Sequence, residues 1–284
     1  MFGMHPTASR RSFLGSAAAA GALALTRPGM GATSGSDEGD LKLGVASYSF
    51  REFSRALALS DTKKLHVKYI NIKDFHLAMN STPEDFARFR KDIDKSGLTL
   101  LGGGNVSFPN ADDADIKARF EYAKAAGMTL LVCAPTHESL PMMEKYVKQY
   151  DIKLAIHNHG PEDKHFPTPQ SVLEAVKNMD PRCGLCIDVG HTARTGVDVV
   201  EAIGLAGARL HDMHVKDLAD LSKKDSQVPV GDGKMPIPAI FKQLKKMNYQ
   251  GGVMLEYEID ADNPMPGMQK SFSYMRGVLA GMRA

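Results

Sequence analysis

The chain has 284 residues, 43% hydrophobic and 24% charged, with a formal net charge of +2. That length suits one domain of about 250 residues with a short extension, ample to bury a core. The near-neutral charge, the absence of tryptophan and the 7% aromatic content exclude a basic or base-stacking nucleic-acid binder, and three cysteines exclude a disulfide framework.

Residues 1–36 are expected to stand apart from the fold. Ser9-Arg10-Arg11-Ser12-Phe13-Leu14-Gly15 reads as a twin-arginine export signal, followed by a weakly apolar stretch at 16–26 and the basic Arg27. The apolar stretch is shorter than the roughly 20 residues of a spanning helix. No cysteine follows for lipid attachment, so the mature protein is expected in the periplasm without a membrane anchor. Residues 37–284 then form the domain.

Within it, apolar runs at 41–47, 67–72, 98–101, 128–133, 152–156, 185–187, 210–215 and 252–255 read as strands. The runs lack polar alternation, as expected of parallel strands buried on both faces. Helical segments follow each of them, at 51–66, 82–97, 112–126, 138–150, 168–178, 197–206, 236–247 and 268–282. Thr82-Pro83-Glu84-Asp85 opens the second helix with an N-cap, a first-turn proline and first-turn acids. Gly102-Gly103-Gly104-Asn105 reads as the flexible exit of the third strand. Cys183-x-x-Cys186 sits at a strand entrance rather than a helix N-terminus, so buried thiols are expected rather than a redox pair. Eight strand–helix pairs over about 240 residues predict a single (β/α)8 TIM barrel. No GxGxxG follows the first strand, which disfavours a nucleotide-binding open sheet.

Four consecutive runs end in chargeable groups. These are Ile152-Lys-Leu-Ala-Ile-His157-Asn-His159, Leu185-Cys-Ile-Asp188-Val-Gly-His191, Leu210-His-Asp-Met-His214-Val-Lys216-Asp217 and Gly252-Val-Met-Leu-Glu256-Tyr-Glu258. The C-terminal ends of barrel strands meet at one face, where barrel enzymes place their sites. Oxygen and imidazole donors on four neighbouring ends can converge on one divalent ion.

With those motifs the chain resembles the xylose isomerase-like barrel superfamily, which holds sugar isomerases and epimerases as well as endonuclease IV. The resemblance covers about residues 41–282 and is carried by Asp188-x-x-His191, His214 and Glu256. It implies that Asp188, His214 and Glu256 bind a metal, with a fourth ligand from the fifth strand. The family usually has Glu-Asn-His there and this chain has His157-Asn158-His159, which is more similar to the inosose-dehydratase-like branch. Two carboxylates and two imidazoles neutralise a 2+ ion and favour Mn2+ or Zn2+, with Co2+ and Fe2+ next, over Mg2+.

Around these ligands, His191 matches the family's substrate contact. Glu256, His191, Lys73, Glu258 and His159 are the candidate catalytic residues; Lys216, His76 and Asn105 join His191 as candidate substrate contacts. Lys73 is equally readable as a solvated surface lysine, and Glu258 as an ion-pair partner. Lys216 and Asp217 would orient ligands or bind hydroxyls. Segment 47–51 would wall the pocket, His137 would line it, and Phe166 would act as a lid.

The expected function is a divalent-metal-dependent isomerase or epimerase of a sugar or keto-sugar, acting through an enediolate. A metal-dependent lyase or dehydratase on a keto-sugar or 3-keto-glycoside stands close behind. An endonuclease IV-like phosphodiesterase and a non-catalytic sugar-binding barrel are remoter. The partner is then a small carbohydrate, not a nucleic acid, and a homo-oligomer is compatible with the sequence.

Overall fold

The computed structural model describes residues 41–283; the export signal expected over 1–36 lies outside them. The barrel strands are β1 (Lys42–Ala46), β2 (Tyr69–Ile72), β3 (Thr99–Phe108), β4 (Leu130–Pro135), β5 (Lys153–His157), β6 (Cys183–Asp188), β7 (Leu210–Val215) and β10 (Gly252–Leu255). They close a barrel in the order β1-β10-β7-β6-β5-β4-β3-β2, with every pairing parallel. A short antiparallel hairpin, β8 (Asp217–Leu218) with β9 (Gln227–Val228), follows β7. The helices are α1 (Arg55–Lys64), α2 (Pro83–Ser96), α3 (Asp113–Ala126), α4 (Leu140–Tyr150), α5 (Pro169–Val176), α6 (Val189–Arg194), α7 (Val199–Ala206), α8 (Ile237–Lys246) and α9 (Met265–Gly281). The (β/α)8 barrel expected from the apolar runs is the fold observed.

Local chemistry sets the boundaries. At α2 the Asp85 amide donates to Thr82 Oγ1, the Thr82 amide donates back to Asp85 Oδ2, and Pro83 fills the first turn. Gly97 ends that helix at φ 70°, a conformation that costs a residue with a Cβ. The first helix starts four residues later than expected, because 47–50 form a 3-10 turn and Ser54 caps α1 by accepting the Leu57 amide.

Alternation along the strands separates two cores. Leu130, Val132, Ala155 and Cys186 form a small cluster of their own, on the face that also carries His157 and Asp188 two residues further along. Most other buried hydrophobics belong to one large cluster between strands and helices. Cys133, Cys183 and Cys186 are free and buried, and burial pushes the Cys183 and Cys186 thiols up to about 12, matching the inert reading. No helix among the described residues is long and apolar enough to cross a membrane.

Two expectations need correction. Residues 102–105 are not an exit loop but the middle of β3. A Cβ on Gly102 would lie 2.6 Å from the Leu130 carbonyl oxygen, and one on Gly104, at φ 119°, would overlap that of Val132. The glycines let β4 approach closely, so flexibility was the wrong inference from their composition. The connection after β6 is also shorter than expected, since α6 starts at Val189 with Asp188 as its cap.

His211 links fold to pH. Its Nε2–H donates to the Pro181 carbonyl at 3.1 Å. Burial first, then the nearby Lys153 charge, pushes its pKa down to about 4. The unfolded ring takes a proton near 6.5 while the folded ring stays neutral, so stability falls as pH drops from 6.5 towards 4. The linkage is worth up to about 3 kcal/mol. His211→Gln should therefore lag wild type most at neutral pH, with the gap narrowing across that window in urea titrations. A pH-independent gap would refute the assignment.

Candidate active site

Register brings the expected donors to one level. Asp188 pairs with His214 across β6 and β7. His157 pairs with Cys186 across β5 and β6, and Glu256 follows directly on β10, its amide bonded to the Val215 carbonyl at 3.1 Å. One donor atom each from His157, Asp188, His214 and Glu256 lies within 4.8 Å of the others. His157 Nε2 is 2.9 Å from His214 Nδ1, which is 3.2 Å from Glu256 Oε2. Cys186 lies close enough to join His157 and His214 in a second donor group.

Asp188 is fixed from two sides. Its Oδ1 accepts the His191 amide at 2.7 Å, capping α6. Its own amide donates to Asn158 Oδ1 at 3.0 Å. Asn158 Nδ2 donates to Thr192 Oγ1 at 3.0 Å, and Thr192 donates to the Asp188 carbonyl at 2.7 Å. The remaining oxygen, Oδ2, is buried with no hydrogen bond.

Lys216 stands beside that oxygen. It is 2% exposed, and its ammonium lies 3.0 Å from Asp188 Oδ2, in an ion pair without hydrogen-bond alignment, 2.9 Å from Glu256 Oε2 and 2.7 Å from Glu258 Oε2. Its stem crosses Gly190, where a Cβ would come within 2.9 Å of Lys216 Cγ and Cδ. Burial opposes ionisation of both partners. The Lys216 charge nevertheless holds Asp188 well below the usual carboxylate range, helped by His191 and His157. His214 and Lys216 do the same for Glu256. In return Asp188, Glu256 and Glu258 hold Lys216 well above its ordinary value.

The two imidazoles differ. Burial, then the neighbouring His159 and His214, pushes His157 down to about 3, so it is a neutral donor at neutral pH. Burial also disfavours charge on His214, but Cys186 and Glu256 beside it hold its pKa well above the usual histidine value. Its proton lies where the donors converge. Three carboxylates and one ammonium leave −3 + 1 = −2, the complement of a divalent ion once that proton departs. Asp188 Oδ2 and His157 Nδ1, both buried without a hydrogen bond, are further signs of an arrangement suited to a cation.

Above the donors is a cavity of about 240 Å³ lined by Tyr48, Lys73, Asn105, His157, His159, His191, Glu256 and Glu258. His159 Nδ1 is 3.2 Å from Asp163 Oδ2. As the N–H donor to that carboxylate it keeps Nε2 as an acceptor, which faces Asn105 Nδ2 at 2.8 Å. Burial alone would raise Asp163, but His159 and the amides of His165 and Phe166 lower it to about 2. His191 Nδ1 faces Arg194 Nη1 at 2.9 Å. A guanidinium only donates, so the His191 proton sits on Nε2. Burial lowers the pKa of His191, favouring this neutral form. Lys73 donates to the Asn105 carbonyl and ion-pairs with Asp74. A larger cavity, about 780 Å³, includes Lys42, Lys153, His211 and Asp212 at the opposite barrel end.

Other expected site residues lie elsewhere or do other work. His76 is not a substrate contact. Its Nδ1 meets Ser47 Oγ at 2.9 Å and its Nε2 the Phe53 carbonyl at 3.1 Å, so both nitrogens hold the segment after β1. Lys216 binds the carboxylates of Asp188, Glu256 and Glu258 and does not line the cavity. Asp217 takes four backbone amides, from Leu218, Gly231, Gly233 and Met235, and organises the hairpin loop. Phe166 is buried against His137 and is no lid; His137 does not line the cavity. Sequence reasoning missed Asp163, Arg194 and Gln227. Asp163 stands four residues after His159 and Arg194 three after His191, spacings that would have suggested both. Gln227 bonds the Glu256 carbonyl and the Glu258 amide from the distant hairpin, without a local signal.

The family model described as xylose isomerase-like TIM barrel matches residues 59–278. The chain belongs to that family. An inosose dehydratase of Mesomycoplasma hyopneumoniae is 29% identical over 164 residues, covering 50% of this chain and 53% of that protein. The chain thus spans about half the length of this curated relative. The 3-keto-D-glucoside 4-epimerase of E. coli superposes with a TM-score of 0.69 at 16% identity, over 84% of this chain and 100% of that one. The IOLI protein, solved with a zinc atom, gives 0.67 at 17%, over 85% and 99%. At such identities the likenesses to family members of known structure show the shared fold.

The Asn158 bracket is testable. Asn158→Ala leaves the buried Asp188 amide without its acceptor and removes one of the two hydrogen bonds of the Thr192 hydroxyl, at a cost of about 2 kcal/mol. Urea unfolding should show that loss; unchanged stability would mean the bracket carries no load.

Proposed function

We propose that the protein is a divalent-metal-dependent isomerase or epimerase of a sugar or keto-sugar. The observation that supports it most is the convergence of His157, Asp188, His214 and Glu256 donors beneath a cavity lined by proton-handling groups. A divalent ion held there supplies Lewis-acid polarisation of a carbonyl and its neighbouring hydroxyl. Two imidazoles favour Mn2+ or Zn2+, then Co2+ or Fe2+, over Mg2+, and the zinc atom of the IOLI structure agrees.

The chain's own residues then divide the work. His159 Nε2 takes the proton from the carbon beside the carbonyl once substrate displaces the Asn105 amide, and Asp163 stabilises the imidazolium formed. His191 Nε2–H donates to the oxygen where negative charge develops. Lys216 keeps Asp188 and Glu256 ionised and fixes Glu258 at the cavity edge. Return of the proton to the same carbon from the other face gives epimerisation; return to the adjacent carbon gives isomerisation.

A second reading, a lyase or dehydratase, is favoured by the inosose dehydratase relatives and by a histidine at 157. The same enediolate then expels a β-hydroxyl or glycosidic oxygen, protonated by His191. NMR of ketoses and 3-keto-glycosides in D2O separates the two. Deuterium beside the carbonyl with an intact skeleton marks the isomerase, and loss of the β-substituent marks the lyase.

Asp188→Ala, His214→Ala and Glu256→Ala should each lose most bound metal by elemental analysis while staying folded; full occupancy in two of them would overturn the ligand set. His159→Ala should keep the metal but lose about 10²–10⁴ in turnover. His157→Glu should also keep a metal, shift preference towards Mg2+ and Mn2+, and lose about 10²-fold in turnover. If His159→Ala empties the site and His157→Ala does not, the roles are reversed.

The proposal includes export to the periplasm, supported by Arg10-Arg11 in its motif. Changing both to Lys should retain the protein in the cytoplasm; undiminished periplasmic material would count against it.

A further inference from the structure

We propose that the substrate is a ring carrying a second, glycosidically attached group, and that Phe75 and Tyr48 form the platform on which that group lies. The inference rests on the keto-sugar reading and names its substrate class.

The cavity sets the first constraint. Its volume of about 240 Å³ falls below the roughly 300 Å³ at which pockets begin to enclose drug-sized ligands. One sugar ring fills it, and anything attached must leave through the mouth.

The aromatics set the second. Tyr48 lines the cavity, and the Phe75 ring centroid lies 6.1 Å from that of Tyr48. Phe75 is 45% exposed and stands two residues after Lys73, another lining residue. Among the described residues three other large hydrophobics are exposed, Leu57, Leu205 and Tyr274, and these sit on the outer helices α1, α7 and α9. Phe75 therefore stands out as an apolar surface in the segment leaving β2, beside the cavity.

The platform is also held in place. The His76 ring meets Phe75 edge-on at 4.7 Å, and both His76 nitrogens are bonded to Ser47 and Phe53. The Arg51 guanidinium lies 5.0 Å from the Tyr48 ring centroid and donates to the Glu258 carbonyl at 2.7 Å. That last bond ties the platform to the carboxylate cluster. A fixed, exposed ring costs hydration free energy and offers a flat π-face to the C–H face of a sugar or to an aryl group.

The test uses the full chain with wild type, Phe75→Ala and Phe75→Trp. The probes are methyl 3-keto-β-D-glucoside, 4-nitrophenyl 3-keto-β-D-glucoside and cellobiose oxidised at C3 of its non-reducing ring. Calorimetry and saturation-transfer NMR read affinity and the contacted protons. Wild type should bind the two large probes about tenfold tighter than the methyl glycoside, with saturation reaching the attached group. Phe75→Ala should collapse that ratio to about one and Phe75→Trp should keep it. An advantage confined to the nitrophenyl or the cellobiose probe identifies an aryl or a sugar occupant. Equal affinity for all probes in wild type, no binding, an unchanged ratio in Phe75→Ala, or dissociation of a dimer by that variant overturns the platform; the last would mean a second copy covers Phe75. Solvent exchange into the reacting ring is read in the same tubes. If the ratio behaves as expected but no ring proton exchanges and no bond breaks, the keto-sugar reading fails while the platform stands.

Discussion

Asp188, Glu256 and Glu258 gather three carboxylates at one end of a closed barrel, two of them deeply buried, and all three meet a single ammonium. Burial works to drive Asp188 and Glu256 towards their neutral forms, and a protonated acid is a poor donor to a cation; Lys216 opposes this at Asp188, and His214 with Lys216 at Glu256. The lysine keeps them anionic without satisfying Asp188 Oδ2, which retains no hydrogen bond. Lys216 arrives there because it lies two residues beyond His214 and faces the same way. Its stem passes where Gly190 has no side chain. Gly190 thus has a packing reason inside the segment that also carries Asp188 and His191. The donor set, its charge and the short helix after β6 are one construction.

This construction explains what was legible in the sequence. Continuous apolar runs report strands buried on both faces, and a chargeable residue at the C-terminal end of each run reports a strand end. That is enough to place His157, Asp188, His214 and Glu256 together, because barrel closure brings strand ends to one rim whatever the loops do. What was not legible depends on partners far away in the chain. Asp217 looks like a site carboxylate until four amides between 218 and 235 occupy it. His76 looks available until Ser47 and Phe53 take both nitrogens. Phe166 sits in a proline-rich loop that suggests a lid, but the amide of Phe166 bonds Asp163 and its carbonyl accepts from His159, which pins the segment. The glycine run in β3 misled for a related reason: composition does not distinguish a glycine that frees the chain from one that lets another strand come near.

Second partners also fix proton positions that residue identity leaves open. His159 and His191 both face the cavity as imidazoles, and their backing groups have opposite sense. A carboxylate behind His159 takes its N–H and leaves a lone pair forward. A guanidinium behind His191 supplies a donor and leaves an N–H forward. The site therefore presents a proton acceptor and a proton donor within one wall, their ring centroids 5.8 Å apart.

In the proposed chemistry this polarity matters more than the identity of the cation. An epimerase has to return a proton to the face opposite the one it left, which asks for an acid across the ring from the base. A lyase has to protonate a leaving oxygen one carbon further along, and a syn elimination takes that proton from an acid on the base's own side. His159 and His191 lie on neighbouring strand ends, after β5 and β6, so both approach from the same sector of the rim. Glu258, after β10, and Lys73, after β2, approach from the other. Same-side chemistry thus draws on the two imidazoles, and opposite-face return draws on His159 with Lys73, since Glu258 is held as an anion beside Lys216. The choice between epimerase and lyase reduces to which of these pairs the substrate ring bridges.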